Sequence, residues 1–149
     1  MLFPALSAYR DWGLLTLRVA VGIIFVVHGW AKLPGLMTVG QADGGGGSMA
    51  LFFGIQGIFE TVGGLALIFG VGARLVALLF AVIMVGAIIV KHTMFPTPFM
   101  ASTTTGWEFD FVLLAANIAL LLAGPGALAL YPRARQASAV QSNPHAARR

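Results

Sequence analysis

The sequence predicts an all-α membrane protein, a bundle of four transmembrane helices running up and down, with both ends of the chain in the cytoplasm. Three observations predict this fold. Of the 149 residues, 58% are hydrophobic and only 9% are charged, and the mean hydropathy is +0.90. Long apolar runs recur along the chain, and basic residues gather at their ends. Because soluble domains carry about 25% charged residues, water is not the expected solvent for this surface.

The apolar runs place the helices. A span needs about 20 apolar residues, and the runs at 14–33, 49–69 and 73–90 predict the first three helices. Pro34 and Gly35 end the first helix, since proline cannot continue a helix and glycine favours its end. The fourth helix is expected at 105–123, where the apolar core is shorter, so a three-helix protein is the alternative.

The loops and ends complete this organisation. Residues 1–131 are expected to form one membrane domain, and the polar, basic segment 132–149 a flexible cytoplasmic tail. The N-terminal residues lack the pattern of a removable signal peptide, and the run at 44–48 has a flexible composition. Seven arginines lie on one side of the predicted spans, and Lys32 and Lys91 lie on the other. The positive-inside rule therefore predicts cytoplasmic ends, in the plasma or inner membrane.

Composition excludes several classes of function. The chain has no cysteine, which excludes disulfides, thiolate metal sites and dithiol redox chemistry within it. The pI of about 10.4 does not indicate nucleic-acid binding, because the basic residues lie at helix ends and form no patch interleaved with aromatic residues. Haem ligation by His28 and His92 is a weak alternative. No histidine–carboxylate spacing predicts a metal site.

Glu60 is the most informative polar residue, because it lies near the middle of the second predicted helix. A charge at this depth costs at least about 2.5–3.5 kcal/mol on insertion scales, so Glu60 is expected to be neutral or paired. Gln56 lies one turn away on the same face, and Arg18 is the first candidate partner. The alternatives are a packing role for Glu60 or a part in proton transfer or ligand binding; Arg18 could instead reach the cytoplasmic interface.

A polar cluster is expected in the middle and outer part of the bilayer, with a charged rim. Glu60 and His28 are the candidates for proton handling. The rim contains Lys32, Lys91, His92, Glu108 and Asp110. The candidates for binding a ligand in this cluster are Arg18, Trp30, Lys32, Gln56, Glu108 and Asn117. Glycines within the spans, above all Gly57, Gly63 and Gly64, predict close approach of the helix backbones.

Several short motifs in order resemble the DoxX family. Leu17-Arg18-Val19-Ala20-Val21-Gly22 is followed by His28-Gly29-Trp30-Ala31-Lys32-Leu33, then by Phe59-Glu60-Thr61-Val62-Gly63-Gly64, Gly72-Ala73-Arg74-Leu75 and Gly106-Trp107-Glu108-Phe109. The resemblance implies a four-helix membrane protein found in redox settings; the related DoxD resembles a subunit of thiosulfate:quinone oxidoreductase. It carries over Arg18, His28, Lys32, Glu60 and Glu108 as functional candidates.

The expected function is that of a small membrane subunit or partner of a respiratory or other redox complex, with a polar pocket facing a quinone or lipid. A catalytic component of quinone reduction is the alternative, and a transporter of a small solute or proton is the third hypothesis. The cofactor that this function would involve is quinone. The expected partners are membrane lipids, other redox subunits and further copies of the chain.

Overall fold

The computed structural model describes residues 8–38, 47–102 and 104–130, and every regular element within them is helical. The α-helices are α1 (Arg10–Lys32), α2 (Gly47–Phe69), α3 (Ala73–Thr93) and α4 (Trp107–Ala123), and a 3₁₀ helix at Leu33–Thr38 follows α1. The predicted all-α fold with four helices is confirmed. The expected tail, 132–149, and most of the flexible run at 44–48 lie outside the described residues.

Three of these helices are long and apolar enough to cross a membrane: Arg10–Met37, Gly47–Phe69 and Ala73–Thr93. α4 has 17 residues, which at 1.5 Å per residue give about 26 Å. That length is at the short end of what a span needs. Apolar side chains cover the outside of the bundle, among them Phe59 and Val82, each more than 60% exposed. The chain is therefore a membrane protein.

Gly70 and Gly72 form the tight turn between α2 and α3. Both have positive φ angles, 73° and 57°, which glycine adopts at no steric cost. The Val71 amide donates to the Ala66 carbonyl oxygen at 2.8 Å, closing the end of α2. We call this end of the bundle the turn end, and the opposite end, where α1 and α3 finish, the loop end.

Glycines bring α1 and α2 into backbone contact. A Cβ atom built on Gly29 would lie 2.6 Å from the Gly57 carbonyl oxygen, and one on Gly22 would lie 2.8 Å from that of Gly64. No side chain fits at these positions, which is the close approach that the glycine pattern predicts. α1 packs most extensively against α2, and α3 against α4, whereas contacts across these pairs are fewer. The bundle is therefore two helical hairpins, α1–α2 and α3–α4.

The two hairpins meet in a tightly packed layer that extends from the middle of the bundle toward the turn end. The rings of Phe25 and Phe80 stack there with centroids 3.6 Å apart and an angle of 15° between planes. Leu67, Ala77 and Leu120 beside them are completely buried. The described side chains are therefore closely packed from this stack toward the turn end.

Candidate functional site

A cavity of about 390 Å³ lies between the two hairpins, in the half of the bundle nearest the loop end. All four helices contribute to it, and its lining combines charged, aromatic and aliphatic side chains. Its polar lining residues are His28, Lys32, Gln56, Glu60, Lys91, Thr105 and Asp110, and its apolar ones are Ile24, Phe25, Met84, Ala87, Phe109 and Leu113. The volume falls within the range of roughly 300–1,000 Å³ of small-molecule sites, and the lining is more polar than that of most such sites.

On the α1–α2 side, Lys32 binds Glu60. The Lys32 Nζ lies 2.7 Å from both Glu60 Oε1 and Glu60 Oε2, and Gln56 Nε2 donates to Oε1 at 2.8 Å. Glu60 is only 2% exposed, so without these donors a carboxylate here would be buried and uncompensated. Lys32 belongs to the last turn of α1, and its flexible stem carries the ammonium inward to Glu60.

On the α3–α4 side, Lys91 binds Asp110. The Lys91 Nζ lies 2.6 Å from Asp110 Oδ2, and it also donates to the Thr105 carbonyl oxygen at 3.1 Å. Asp110 is 6% exposed and lies in the first turn of α4, where a carboxylate also interacts favourably with the positive end of the helix dipole. Each hairpin therefore brings its own lysine–carboxylate pair to the cavity, and these are the only two lysines of the sequence.

His28 lies on α1 and contacts α4, so its side chain joins the two hairpins. Its ring stacks on Phe109 with centroids 5.5 Å apart and an angle of 24° between planes. Both side chains line the cavity. Unlike the two lysine–carboxylate pairs, the His28 ring has no hydrogen-bond partner among the described residues. The side chain is exposed, and an imidazole can donate or accept a hydrogen bond according to its tautomer.

The expected pairing of Arg18 with Glu60 is wrong. Arg18 is 1% exposed, and its guanidinium donates to the carbonyl oxygens of Pro125 and Ala127, at 2.7 and 3.2 Å. After α4 the chain crosses the turn end of the bundle, where the Ala127 amide also donates to the Asp11 carbonyl oxygen at 2.9 Å. These backbone acceptors bind the charged side chain, and Arg18 does not line the cavity.

Three more of the predicted pocket residues do not line the cavity. Trp30 is 68% exposed on the outside of α1, and Glu108 is only partly buried at the start of α4. Asn117 is completely buried, but its Nδ2 donates to the Leu113 carbonyl oxygen one turn earlier in α4, at 2.8 Å. Of the ligand-binding candidates, the structure places Lys32 and Gln56 at the cavity, together with both proton-handling candidates, Glu60 and His28.

The sequence placed Lys91 and Asp110 only at the rim, and it did not predict the wall formed by Phe109 and Met84. The sequence does contain a pattern that indicates the Lys91–Asp110 pair. Each hairpin has a lysine near the end of its first helix and a carboxylate inside its second helix. The wall residues had no such signal, since apolar side chains in a span face lipid, neighbouring helices or a cavity with similar composition. Within the described residues, no group of histidines, cysteines or carboxylates is arranged to hold a metal ion.

The fold and the cavity define a small helical-bundle membrane protein with a charged, ligand-sized pocket between two hairpins. Comparison with known proteins gives the family. The DoxX family model matches residues 13–93, more than half of the chain, and the chain belongs to the DoxX family. The resemblance found in the sequence motifs is confirmed. The matched region contains Lys32, Glu60 and Lys91, whereas Asp110 lies beyond it.

Two curated relatives align over most of their length. A Bacillus subtilis protein named "Putative oxidoreductase CatD" is 39% identical over 120 residues, which are 80% of this chain and 85% of the relative. An uncharacterized Haemophilus influenzae protein is 30% identical over 128 residues, 84% of this chain and 92% of the relative. No solved structure matches the chain significantly.

Proposed function

We propose that this chain is a membrane subunit of a redox assembly and that its cavity binds the head group of a quinone. The observation that carries the proposal is the cavity itself. Two lysine–carboxylate pairs and His28, which has no hydrogen-bond partner among the described residues, line a space with aromatic and aliphatic walls. The name of the Bacillus subtilis relative supports a redox setting. The proposed location is the plasma or inner membrane, with both chain ends in the cytoplasm.

The charge balance of the cavity favours a neutral ligand. Lys32 offsets Glu60, and Lys91 offsets Asp110, so neither an anion nor a cation would find an unpaired opposite charge among these four groups. Phe25, Phe109 and Met84 give the cavity apolar walls against which a ring can pack. A quinone head group has this combination of a neutral, flat ring and polar atoms at its edge.

His28 is the group best suited to exchange protons with the ligand. Reduction of a quinone to a hydroquinone consumes two electrons and two protons. In our proposal a redox partner subunit supplies the electrons, and His28 passes protons between the ligand and the loop end. Glu60 is the second proton-handling candidate, but it accepts hydrogen bonds from Lys32 and Gln56. Its main role in the proposal is to hold the Lys32 ammonium in place.

The packed side chains between the cavity and the turn end favour ligand binding over the transport of a solute. The stacked rings of Phe25 and Phe80 and the buried side chains beside them fill the bundle between the cavity and the turn end. A solute that entered the cavity would have to displace these packed side chains to reach the opposite face. A binding subunit therefore agrees with the structure better than the transporter hypothesis does.

Photolabelling tests the proposal directly. The purified chain in lipid nanodiscs would be exposed to a photoreactive azido-quinone with a ten-carbon tail, and labelled peptides would be located by mass spectrometry. We expect labels on the cavity segments of α1 and α4, displaced by excess unlabelled quinone. Phe109→Ala, which removes a cavity wall, should weaken the labelling, whereas Trp30→Phe, on the exposed side of α1, should not. Labelling that is not displaced, or that is equal in both variants, would reject quinone binding in this cavity.

A further inference from the structure

We infer that Lys32 and Lys91 grip the ligand together, each donating a hydrogen bond to one of two acceptor atoms at opposite ends of the ring. The inference rests on the proposed quinone binding and adds the mode of recognition. It assigns the ligand to the 1,4-diones, with one carbonyl for each hairpin, rather than to ring compounds with a single carbonyl.

The placement of the two lysines suggests this arrangement. Lys32 is held by Glu60 within the α1–α2 hairpin, and Lys91 by Asp110 within the α3–α4 hairpin. Among the described residues, no ion pair joins one hairpin to the other. The cavity lies between the hairpins, so each hairpin presents one ammonium to the same space.

Each ammonium keeps a donor for the ligand. An ammonium has three N–H groups, and Lys32 directs two of them to the two oxygens of Glu60, both at 2.7 Å. Lys91 forms an ion pair with Asp110 and donates a hydrogen bond to the Thr105 carbonyl oxygen. Its remaining contact, with the Gly106 carbonyl oxygen, is 3.4 Å long, beyond the usual range of about 2.7–3.2 Å. A carbonyl oxygen of the ligand can replace that weak contact at little cost.

The carboxylates make the lysines specific for neutral acceptors. Glu60 and Asp110 are both nearly buried, so they fix the positions of the ammonium groups and cancel their charge. An anionic ligand would face these carboxylates as well as the lysines. A carbonyl oxygen accepts a charge-assisted hydrogen bond without bringing a net charge of its own. Two such acceptors on one ring could each bind one of the two ammonium groups that line the cavity.

The test uses variants in which one pair at a time loses its charge. Lys32→Met/Glu60→Gln and Lys91→Met/Asp110→Asn each remove one ammonium without leaving its carboxylate unpaired. Two ligands with the same ten-carbon tail would be compared: a 1,4-naphthoquinone, and a 1-tetralone that has one carbonyl instead of two. Dissociation constants come from competition with the photoreactive quinone in nanodiscs.

We expect each pair variant to bind the naphthoquinone about 10- to 100-fold more weakly, the equivalent of one lost hydrogen bond to a charged group. The tetralone should lose only about two-fold in either variant, because it can turn round and use the remaining lysine. It should lose its affinity when both pairs are replaced. If a pair variant does not purify as a monodisperse folded protein, Lys32→Gln/Glu60→Gln and Lys91→Gln/Asp110→Asn replace it in the same comparison, because they also leave no carboxylate unpaired.

The outcomes separate this inference from the proposed function. If the naphthoquinone binds and only one pair variant weakens it, or if the two ligands respond alike, the two-lysine grip is overturned while quinone binding stands. If the unaltered protein binds neither the photoreactive quinone nor the naphthoquinone, the proposed function itself fails.

Discussion

Replacing Lys32 by methionine should destabilise the protein more than any other single change at the cavity, because it leaves the Glu60 carboxylate without its ammonium. Glu60 is 2% exposed and would keep only the hydrogen bond from Gln56. Removing one partner of a buried ion pair costs about 3–5 kcal/mol. Lys32 itself is 28% exposed, so part of the interaction is screened by solvent. We expect a loss near the lower end, about 3 kcal/mol.

The matched variants make this reasoning specific. Glu60→Gln leaves Lys32 with its partial exposure, which lets the ammonium reach water, so we expect a loss of only about 1 kcal/mol. In Lys32→Met/Glu60→Gln no buried charge remains, so this double variant should be about 2 kcal/mol more stable than Lys32→Met alone. This rescue distinguishes a charge effect from lost packing of the lysine stem.

The free energy of unfolding can be measured in mixed micelles by titration with sodium dodecyl sulfate, with helix content followed by circular dichroism. The unaltered protein should be the most stable, Glu60→Gln and the double variant should be about equal, and Lys32→Met should be the least stable. Equal stability of Lys32→Met and the double variant would refute the reasoning that the Lys32 ammonium compensates the buried Glu60 carboxylate.

Three further predictions address the packing, the Arg18 contacts and the proton-exchange role. Gly29→Ala should cost about 1–3 kcal/mol, because its Cβ would lie 2.6 Å from the backbone of α2; Gly86→Ala, where no atom lies within 4 Å, should be neutral or stabilising by up to about 1 kcal/mol. Equal effects in the same unfolding titration would contradict the packing argument. Arg18→Leu should speed deuterium exchange at 124–130, as measured by mass spectrometry, and leave the quinone affinity unchanged. A large loss of affinity would show that Arg18 contributes to the binding site. His28→Phe should keep the stack on Phe109 and the quinone affinity, yet slow quinone reduction by the whole assembly about 100-fold or more; an unchanged rate in a stopped-flow assay would exclude His28 from proton exchange.

Hydropathy predicted the helices well because the bilayer imposes one simple requirement, a long apolar run. It was less informative about where the helices begin and end. α1 begins at Arg10 rather than 14, and α3 continues to Thr93 rather than 90. Apolar runs mark the extent of the hydrocarbon, whereas backbone hydrogen bonds define a helix, and these continue into the polar interface. The α2–α3 turn was easier to place, since two of its three residues are glycines with positive φ.

The depth of Glu60 was readable from the sequence, but its partner was not. Residue rise along a helix gives the height of Arg18 and Lys32 in the bundle, and both are long enough to cover part of the distance to Glu60. Arg18 is bound instead by the segment after α4, because its guanidinium donates to the carbonyl oxygens of Pro125 and Ala127. Lys32 is therefore the residue that pairs with Glu60. No local pattern in the sequence encodes that long-range contact.

The confinement of both lysines to one cavity has a practical consequence for chemistry on this protein. Apart from the chain's own amino terminus, the sequence offers a primary amine only at Lys32 and Lys91. An acylating reagent small enough to enter would therefore report on the interior of the pocket, with almost no background from the rest of the polypeptide. Its rate of attachment, followed by intact-mass spectrometry, would show when the pocket is filled, without any mutation or engineered probe.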